Sequence, residues 1–560
     1  VIKVWAPDAS QVALRVDAAD IPLAAAADGW WTGPDLPPGT DYAFVLDGSD
    51  PLPDPASRWQ PHGVHGPSRV YDQAAFLWSD GSWHGRSLEG GIVYELHVGT
   101  FTPTGTLDSA VERLDHLVDL GVTHVELLPL NSFNGDWNWG YDGVDWYAVS
   151  ETYGGPDALK RFVDAAHARG LAVVLDVVYN HLGPSGNYLP RFGPYLRHGR
   201  NTWGDLVNFA EPAVRSFVIE NALMWLRDFH VDALRLDAIH ALQDDSPVHV
   251  LRELSDAVRE FEASTGRTMT LIGESDLNDA QTVLGEWGLD AQWDDDVHHA
   301  LHVNLTGETQ GYYADFEGTD VLAKVWTKAF LHDGTFSSFR GRDHGRPISP
   351  DTPAWRFVVC LQNHDQVGNR AVGDRLPELT SPGLLRVGAV LLLTSPFTPM
   401  LWMGEEWGAS TRWPFFTAHP EPELAKATGE GRIAEFADHG WDVSAMIDPQ
   451  DPRAFHEAKL RWDEVADPAH YDLLWLYRHL IKLRAAEPDL RDGDLRRVRV
   501  EHTDTTLTIT RGAFTVLANL GESPASFDVS GDIVLETAAV TRTGTGGLSL
   551  PPESAAIVRT

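Results

Sequence analysis

The sequence predicts a TIM-type (β/α)₈ barrel, an α/β fold, between an N-terminal β-sandwich domain and a C-terminal β domain. Three observations carry that expectation. Across residues 91–402, short apolar runs alternate with amphipathic helical stretches, the pattern of a parallel sheet with helices packed outside it. The first run, 92–96, is followed by His97-Val-Gly-Thr-Phe101, where a doubly wound sheet would carry a glycine-rich phosphate turn. At both ends of the chain the helical period disappears and short strand-like runs separated by turns take over.

Taken in order, residues 1–5, 11–16 and 42–46 are short strand-like runs, with Pro-Asp, Asp-Gly and Pro-Pro-Gly turns between them. The proline-rich 51–55 and the Gly/His/Pro-rich 61–67 form an irregular linker. Barrel strands are expected at 92–96, 122–128, 171–178, 231–237, 269–274, 289–293, 356–362 and 398–402. A helix over 107–120 should place Leu107, Val111, Leu114, Leu117 and Val118 on one face and stop at Gly121. Helices are also expected over 156–169 and over 212–229, the second opening with Pro at a first-turn position where the missing N–H costs nothing. The uncharged 387–404 is long enough to span a bilayer, but Pro396 and Pro399 interrupt it, so helix end, turn and buried strand is the reading. A last helix covers 472–486, and 507–510, 514–517 and 555–558 return to strands. The expected domains are therefore 1–85, a catalytic barrel over 86–490 with a short insert at 182–208, and 491–560.

Composition narrows the function. A formal charge of −38 repels phosphate backbones and anionic lipid, so neither nucleic acid nor membrane is expected as a partner. A neutral substrate fits better, and 21 tryptophans offer stacking faces for sugar rings. The single cysteine, Cys360, excludes an intrachain disulfide and a cysteine zinc site, and its apolar surroundings make it a buried, inert thiol. No basic stretch leading into an apolar one opens the sequence, so no secretion leader is expected and a cytoplasmic setting is.

In a barrel, reactive side chains sit at the C-terminal ends of the strands. Those ends supply Asp176, Asn180 and His181 after the third strand, Arg235, Asp237 and His240 after the fourth, and Glu274 after the fifth. The sixth leads into Asp294, Asp295, Asp296, His298 and His299, the seventh into Asn363, His364 and Asp365. Asp237, Glu274 and Asp365 come from three strands and should converge on one cleft. A lone carboxylate is usually structural; three together, each beside Arg, His or Asn, point to catalysis. Metal-assisted hydrolysis lacks its motifs, since there is no HExxH, EF-hand loop or HxH pair. Glycosidic cleavage needs one ionised carboxylate and one that keeps its proton. Arg235 should hold Asp237 ionised, while Glu274, after an apolar Leu-Ile-Gly, has no adjacent base and should retain a proton.

Four stretches then resemble the signature regions of the α-amylase superfamily, glycoside hydrolase family 13: Asp176-Val-Val-Tyr-Asn-His181, Arg235-Leu-Asp-Ala-Ile-His240, Gly273-Glu-Ser275 and Gln362-Asn-His-Asp365. The resemblance implies a retaining mechanism with Asp237 as nucleophile, Glu274 as acid/base and Asp365 as transition-state stabiliser. It implies that Arg235, His181 and His364 hold the sugar, that Tyr141 in Trp139-Gly-Tyr-Asp142 stacks under it, and that the two reacting carboxyls lie about 5–5.5 Å apart.

Within the superfamily, the chain is similar to glycogen branching enzymes and, more closely, to the group that hydrolyses maltooligosyl trehalose. Tyr179-Asn-His-Leu-Gly-Pro-Ser-Gly-Asn-Tyr188, Ala241-Leu-Gln-Asp-Asp-Ser246, Gly307-Glu-Thr-Gln-Gly-Tyr-Tyr313 and Gly404-Glu-Glu-Trp-Gly408 carry that second likeness. It implies an α-1,4-glucan chain capped by trehalose as substrate, free trehalose as product and a maltooligosyltrehalose synthase as pathway partner. The insert at 182–208 holds one acidic residue, Asp205, so neither a metal nor any other cofactor is expected. Residues 294–299 and 407–416 would line the leaving-group side. A branching transferase with the same carboxylates is the alternative, and a non-catalytic glucan-binding protein a third reading, disfavoured by the complete carboxylate set.

Overall fold

A computed structural model describes residues 1–201, 204–438, 446–544 and 546–560; residues 202 and 203 of the insert at 182–208 therefore lie outside the described residues. Eight strands close into a barrel: Val93–Leu96 (β1), His124–Leu127 (β2), Ala172–Val177 (β3), Ala233–Leu236 (β4), Thr270–Gly273 (β5), Ala291–Trp293 (β6), Phe357–Cys360 (β7) and Thr398–Trp402 (β8). All neighbours are parallel, and β8 closes on β1 with Met400 opposite Val93. Each strand falls within a run expected from the sequence.

Period-two alternation sorts these strands into two faces. Val93, Val174, Ala233, Ile272, Ala291, Val358 and Met400 form a closed apolar plug inside the barrel, and Cys360 is buried in it. Leu96, Val125, Leu127, Val173, Leu175, Leu234 and Leu271 face outward into the larger core shared with the helices. Two residues further along several strands, the inward positions change from apolar to ionisable: Glu95 after Val93, Asp176 after Val174, Arg235 after Ala233 and Glu274 after Ile272. That change of chemistry marks the C-terminal end of the barrel as the reactive one.

The helix expected over 107–120 is two, Leu107–Val111 and Leu114–Leu120. The first closes with a tight bond from Arg113 N–H to the Ala110 carbonyl, 3.0 Å, and the chain bends there. The bend turns the second half so that Leu120 is buried and Val118, expected on the core face, is 41% exposed. Gly121 caps it in the left-handed region, at φ 97°. Helices Gly155–His167 and Pro212–Asp228 stand where expected, and 382–402 is a helix (Pro382–Thr394), a turn and β8.

Ahead of the barrel, strands Lys3–Trp5, Trp30–Thr32 and Ala24–Ala25 make one antiparallel sheet. Ala19–Pro22, Val12–Val16, Asp41–Leu46 and Ser68–Arg69 make a second. The segment after β3 leans on them: Phe192 meets Phe44 edge-on at 6.1 Å and Tyr195 meets Trp5 at 5.1 Å. After the long helix Pro468–Ala486 and a single helical turn, Pro488–Arg491, a five-stranded and a three-stranded sheet follow. Arg511 from this end binds the Thr394 carbonyl at 2.7 Å, and Arg484 takes those of Leu393, Ser395 and Phe397. Together they satisfy orphan carbonyls at the end of a buried helix.

Candidate active site

Arg235, the last inward residue of β4, is fully buried and is the hub of the site. Its Nη1 donates to both oxygens of Asp176 at 3.0 and 2.9 Å and to Asp237 Oδ1 at 2.8 Å. Its Nη2 lies 3.0 Å from Glu274 Oε2, and its plane sits 4.2 Å from the Trp293 ring. One rigid fork thus confines both reacting carboxylates to its own reach. The backbone completes the pairing. Ala238 adopts a left-handed conformation, φ 41° and ψ 52°, and its N–H donates to Glu274 Oε2 at 2.7 Å. A non-glycine residue there is strained, and such strain persists where the surroundings over-determine it.

The two carboxyls are driven apart in acidity. Burial pushes Glu274 well above the ordinary carboxyl range; Arg235 pulls against that, and Asp237 and Asp365 add to the rise. Burial also works to raise Asp237, but Arg235, His181 and the Asn180 amide together bring it below its ordinary value. Asn180 Nδ2 donates to Asp237 Oδ2 at 2.7 Å and to its carbonyl at 2.9 Å. One carboxyl that keeps its proton and one that stays ionised, on the same arginine, is the division of labour of glycosidic cleavage.

The other predicted residues divide into three groups. Tyr141, His181, Asp237, His240, Glu274, Asp295, His364 and Asp365 border one cleft of about 640 Å³. Asp176, Asn180 and Arg235 form the buried layer beneath it, Asp176 being pushed up to about 6 by burial against the pull of Arg235. Tyr141 OH bridges that layer to the cleft wall, donating to Asp176 Oδ2 at 2.6 Å and lying 2.7 Å from His364 Nε2. The remaining residues have structural work. Asn363 caps helix His364–Gly368 through Gln366 N–H at 2.8 Å, and His298 is buried against His302 at 5.5 Å. Asp296 accepts the N–H groups of Leu331 and His332 at 2.7 and 2.9 Å. With His299 it borders a smaller side hollow. Trp407 is fully buried under Trp462, 5.0 Å away, so of the expected rim 407–416 it is Phe415 that borders the cleft.

Residues outside the sequence expectation complete the wall. Helix Pro422–Asp438 roofs the cleft with Ala427, Thr428, Gly431 and Arg432. Arg432 lies over Phe415 at 4.8 Å and donates to Asn369 Oδ1, while Asn369 Nδ2 donates to Asp365 Oδ1 at 3.1 Å. Among the described residues, no three His, Cys, Asp or Glu side chains are grouped to hold a metal ion.

Comparison with known proteins agrees with this geometry. The model of the α-amylase catalytic domain matches residues 73–193. The malto-oligosyltrehalose trehalohydrolase of Arthrobacter ramosus is 54% identical over 573 residues, covering 99% of each chain. The chain belongs to the malto-oligosyltrehalose trehalohydrolase family, within the α-amylase superfamily. Another trehalohydrolase, from Saccharolobus solfataricus, is 40% identical and covers 89% of this chain and 86% of its own. The crystal structure of an α-amylase candidate from Salmonella typhimurium superposes with a TM-score of 0.92 at 38% identity, covering 100% of this chain and 97% of that one. A branching enzyme from Corynebacterium jeikeium reaches 27% identity over 73% of this chain.

Proposed function

We propose that this chain is a retaining glycoside hydrolase that cuts the α-1,4 bond next to the terminal trehalose unit of maltooligosyl trehalose, releasing trehalose. The observation that carries the chemistry is the arginine shared by two carboxyls of opposite protonation; family membership carries the substrate. In the first step Asp237 attacks the anomeric carbon and Glu274 gives its proton to the departing glycosidic oxygen. In the second, Glu274 takes a proton from water, which displaces Asp237 from the glycosyl ester, and the second inversion restores the α configuration. Asp365 would stabilise the cationic transition state, with His181, His364 and Arg235 around the reacting sugar.

Because Glu274 protonates the leaving group, trehalose belongs on its flank, beside His240, Ser275, Asp276 and Asp295. The glucan then runs past Asp365, Trp139 and the roof helix, and Phe415, packed on Trp139 and Arg432, goes with them and not with the leaving-group side expected for 407–416. A synthase that builds the trehalose cap would supply the substrate, and a cytoplasmic setting goes with that; no helix among the described residues is long and apolar enough to cross a membrane.

The test is a product analysis on maltopentaose and on the same chain capped with trehalose. Free trehalose released rapidly from the capped chain, with the uncapped one cut slowly or not at all, is the expected result. Longer branched products without trehalose would replace hydrolysis by transfer, and no turnover of either would leave a binding protein.

A further inference from the structure

His364 is held from below. Its backbone N–H donates to Glu95 Oε2 at 3.0 Å, and its Nδ1 lies 2.5 Å from Glu95 Oε1. Glu95 is an inward residue of β1, wholly buried, and it does not border the cleft. The opposite nitrogen, Nε2, faces the reaction space, 2.7 Å from Tyr141 OH and 3.5 Å from Asp365 Oδ1. Tyr141 also stacks on the ring at 5.2 Å, while Trp139 and Trp293 flank it at 5.9 and 5.8 Å.

We propose that Glu95 is a positioning residue: by accepting both the Nδ1 hydrogen and the main-chain N–H of His364, it keeps that ring a cation with its Nε2–H aimed into the cleft. The hydrogen-bond economy of the site supports this. Tyr141 spends its own hydrogen on Asp176, so its oxygen can only accept from His364. A neutral ring would have one hydrogen to place and two acceptors, Glu95 and Tyr141, competing for it; the cation satisfies both.

The charges facing the ring bear on the same point. Burial works to lower His364, but Asp365 and Glu95 outweigh it and Arg235, and carry the ring up to about 9. Glu126 from β2 is pushed well above the carboxyl range by burial, with Glu95 and Asp176 adding to the rise, so it stands neutral. His97, beyond β1, is lowered to about 3 by burial and is also uncharged. Asp176, raised to about 6, is largely ionised at pH 7 and accepts the Tyr141 hydrogen, so it reaches the ring only through Tyr141. Glu95 is thus the carboxylate touching the ring on its buried side.

The role of the cation rests on the glycosidase reading; its existence does not, so the test separates the two. In ¹⁵N-histidine spectra, with His364→Gln assigning the signal, the wild-type ring should carry hydrogen on both nitrogens at pH 7 and lose one near pH 9. In Glu95→Gln that titration should move down by at least about one pH unit. With it, kcat at pH 8 should fall by about twofold or more as the cationic fraction drops, KM should stay nearly unchanged, and the high-pH limb of the rate profile should move down by the same interval. A neutral wild-type ring at pH 7 would overturn the proposal even if Glu95→Gln failed to fold. An unmoved titration in a folded Glu95→Gln would overturn it as well.

Discussion

Replacing Arg235 by lysine separates charge from geometry at the hub of the site. Lysine keeps the positive charge but offers a point ammonium in place of a planar fork that now touches Asp176, Asp237 and Glu274. A single ammonium on a shorter reach can serve Asp176 and Asp237 or turn toward Glu274, and at least one charge-assisted contact is lost. Hydrogen bonds to charged groups contribute about 1.5–3 kcal/mol. At about 1.4 kcal/mol per tenfold, losing one predicts a fall in kcat/KM of roughly ten- to hundredfold. The acid limb of the pH profile should also rise, because Asp237 sits below its ordinary value largely through Arg235 and would protonate earlier on lowering the pH. Arg235→Gln removes the charge as well; breaking buried ion pairs costs about 3–5 kcal/mol, so that variant should lose stability along with activity. The assay is kcat/KM on the trehalose-capped chain between pH 4 and 9, with thermal unfolding as the control. A folded Arg235→Lys with wild-type kcat/KM and an unmoved acid limb would refute the reasoning that shape, beyond charge, sets the two carboxyls.

Three further outcomes follow from the same geometry. Asp237→Ala should abolish turnover while binding of the capped glucan, followed by calorimetry, survives; near-normal activity would remove Asp237 from the mechanism. Asn369→Ala and Arg432→Gln each cut the path from the roof helix to Asp365; each bond on it has one charged end but is only part-buried and screened by solvent, so its loss should lower kcat roughly two- to tenfold, and unchanged kcat in both would leave the roof as a wall only. His167, buried between Asp80 at 2.9 Å and Asp232 at 2.8 Å, has its pKa raised: burial opposes this, but the two aspartates prevail. Its stabilisation is present in full below about pH 6.5 and is lost as pH rises through the raised folded value. The gap in unfolding temperature between wild type and His167→Gln should therefore narrow from pH 6 to pH 9, and an equal gap at both would count against it.

What could be read from the sequence was what periodicity and local chemistry encode together. Each strand announced itself as a short apolar run, and because side chains alternate, the ionisable residues at the strand ends had to share the barrel interior. Asp237 and Glu274 were legible on that ground, and Asp365 by its place just beyond β7, at the start of helix His364–Gly368. Glu95 was not: inside Ile-Val-Tyr-Glu-Leu it is one polar residue in a strand, and its use depends on a histidine 269 positions away. The segment 294–299, expected to line the leaving-group side, is the start of helix Asp295–Thr306, and a helix presents only one face to a cleft, so Asp295 reaches it while His298 turns into the core. The roof helix escaped for the opposite reason. Residues 422–438 contain Gly429 and Gly431 and carry no apolar stripe at helical spacing, so nothing in their pattern calls for a helix or a packed face. Its glycines make sense only against the fold. A Cβ on Gly429 would come within 2.9 Å of Asp448 Oδ1, while one on Gly431 would meet open space, which puts the first against the protein and the second over the cleft. Gly431→Ala should thus be tolerated in folding and felt in substrate entry, a division that belongs to a wall facing substrate and would not be expected of a helix packed into the core.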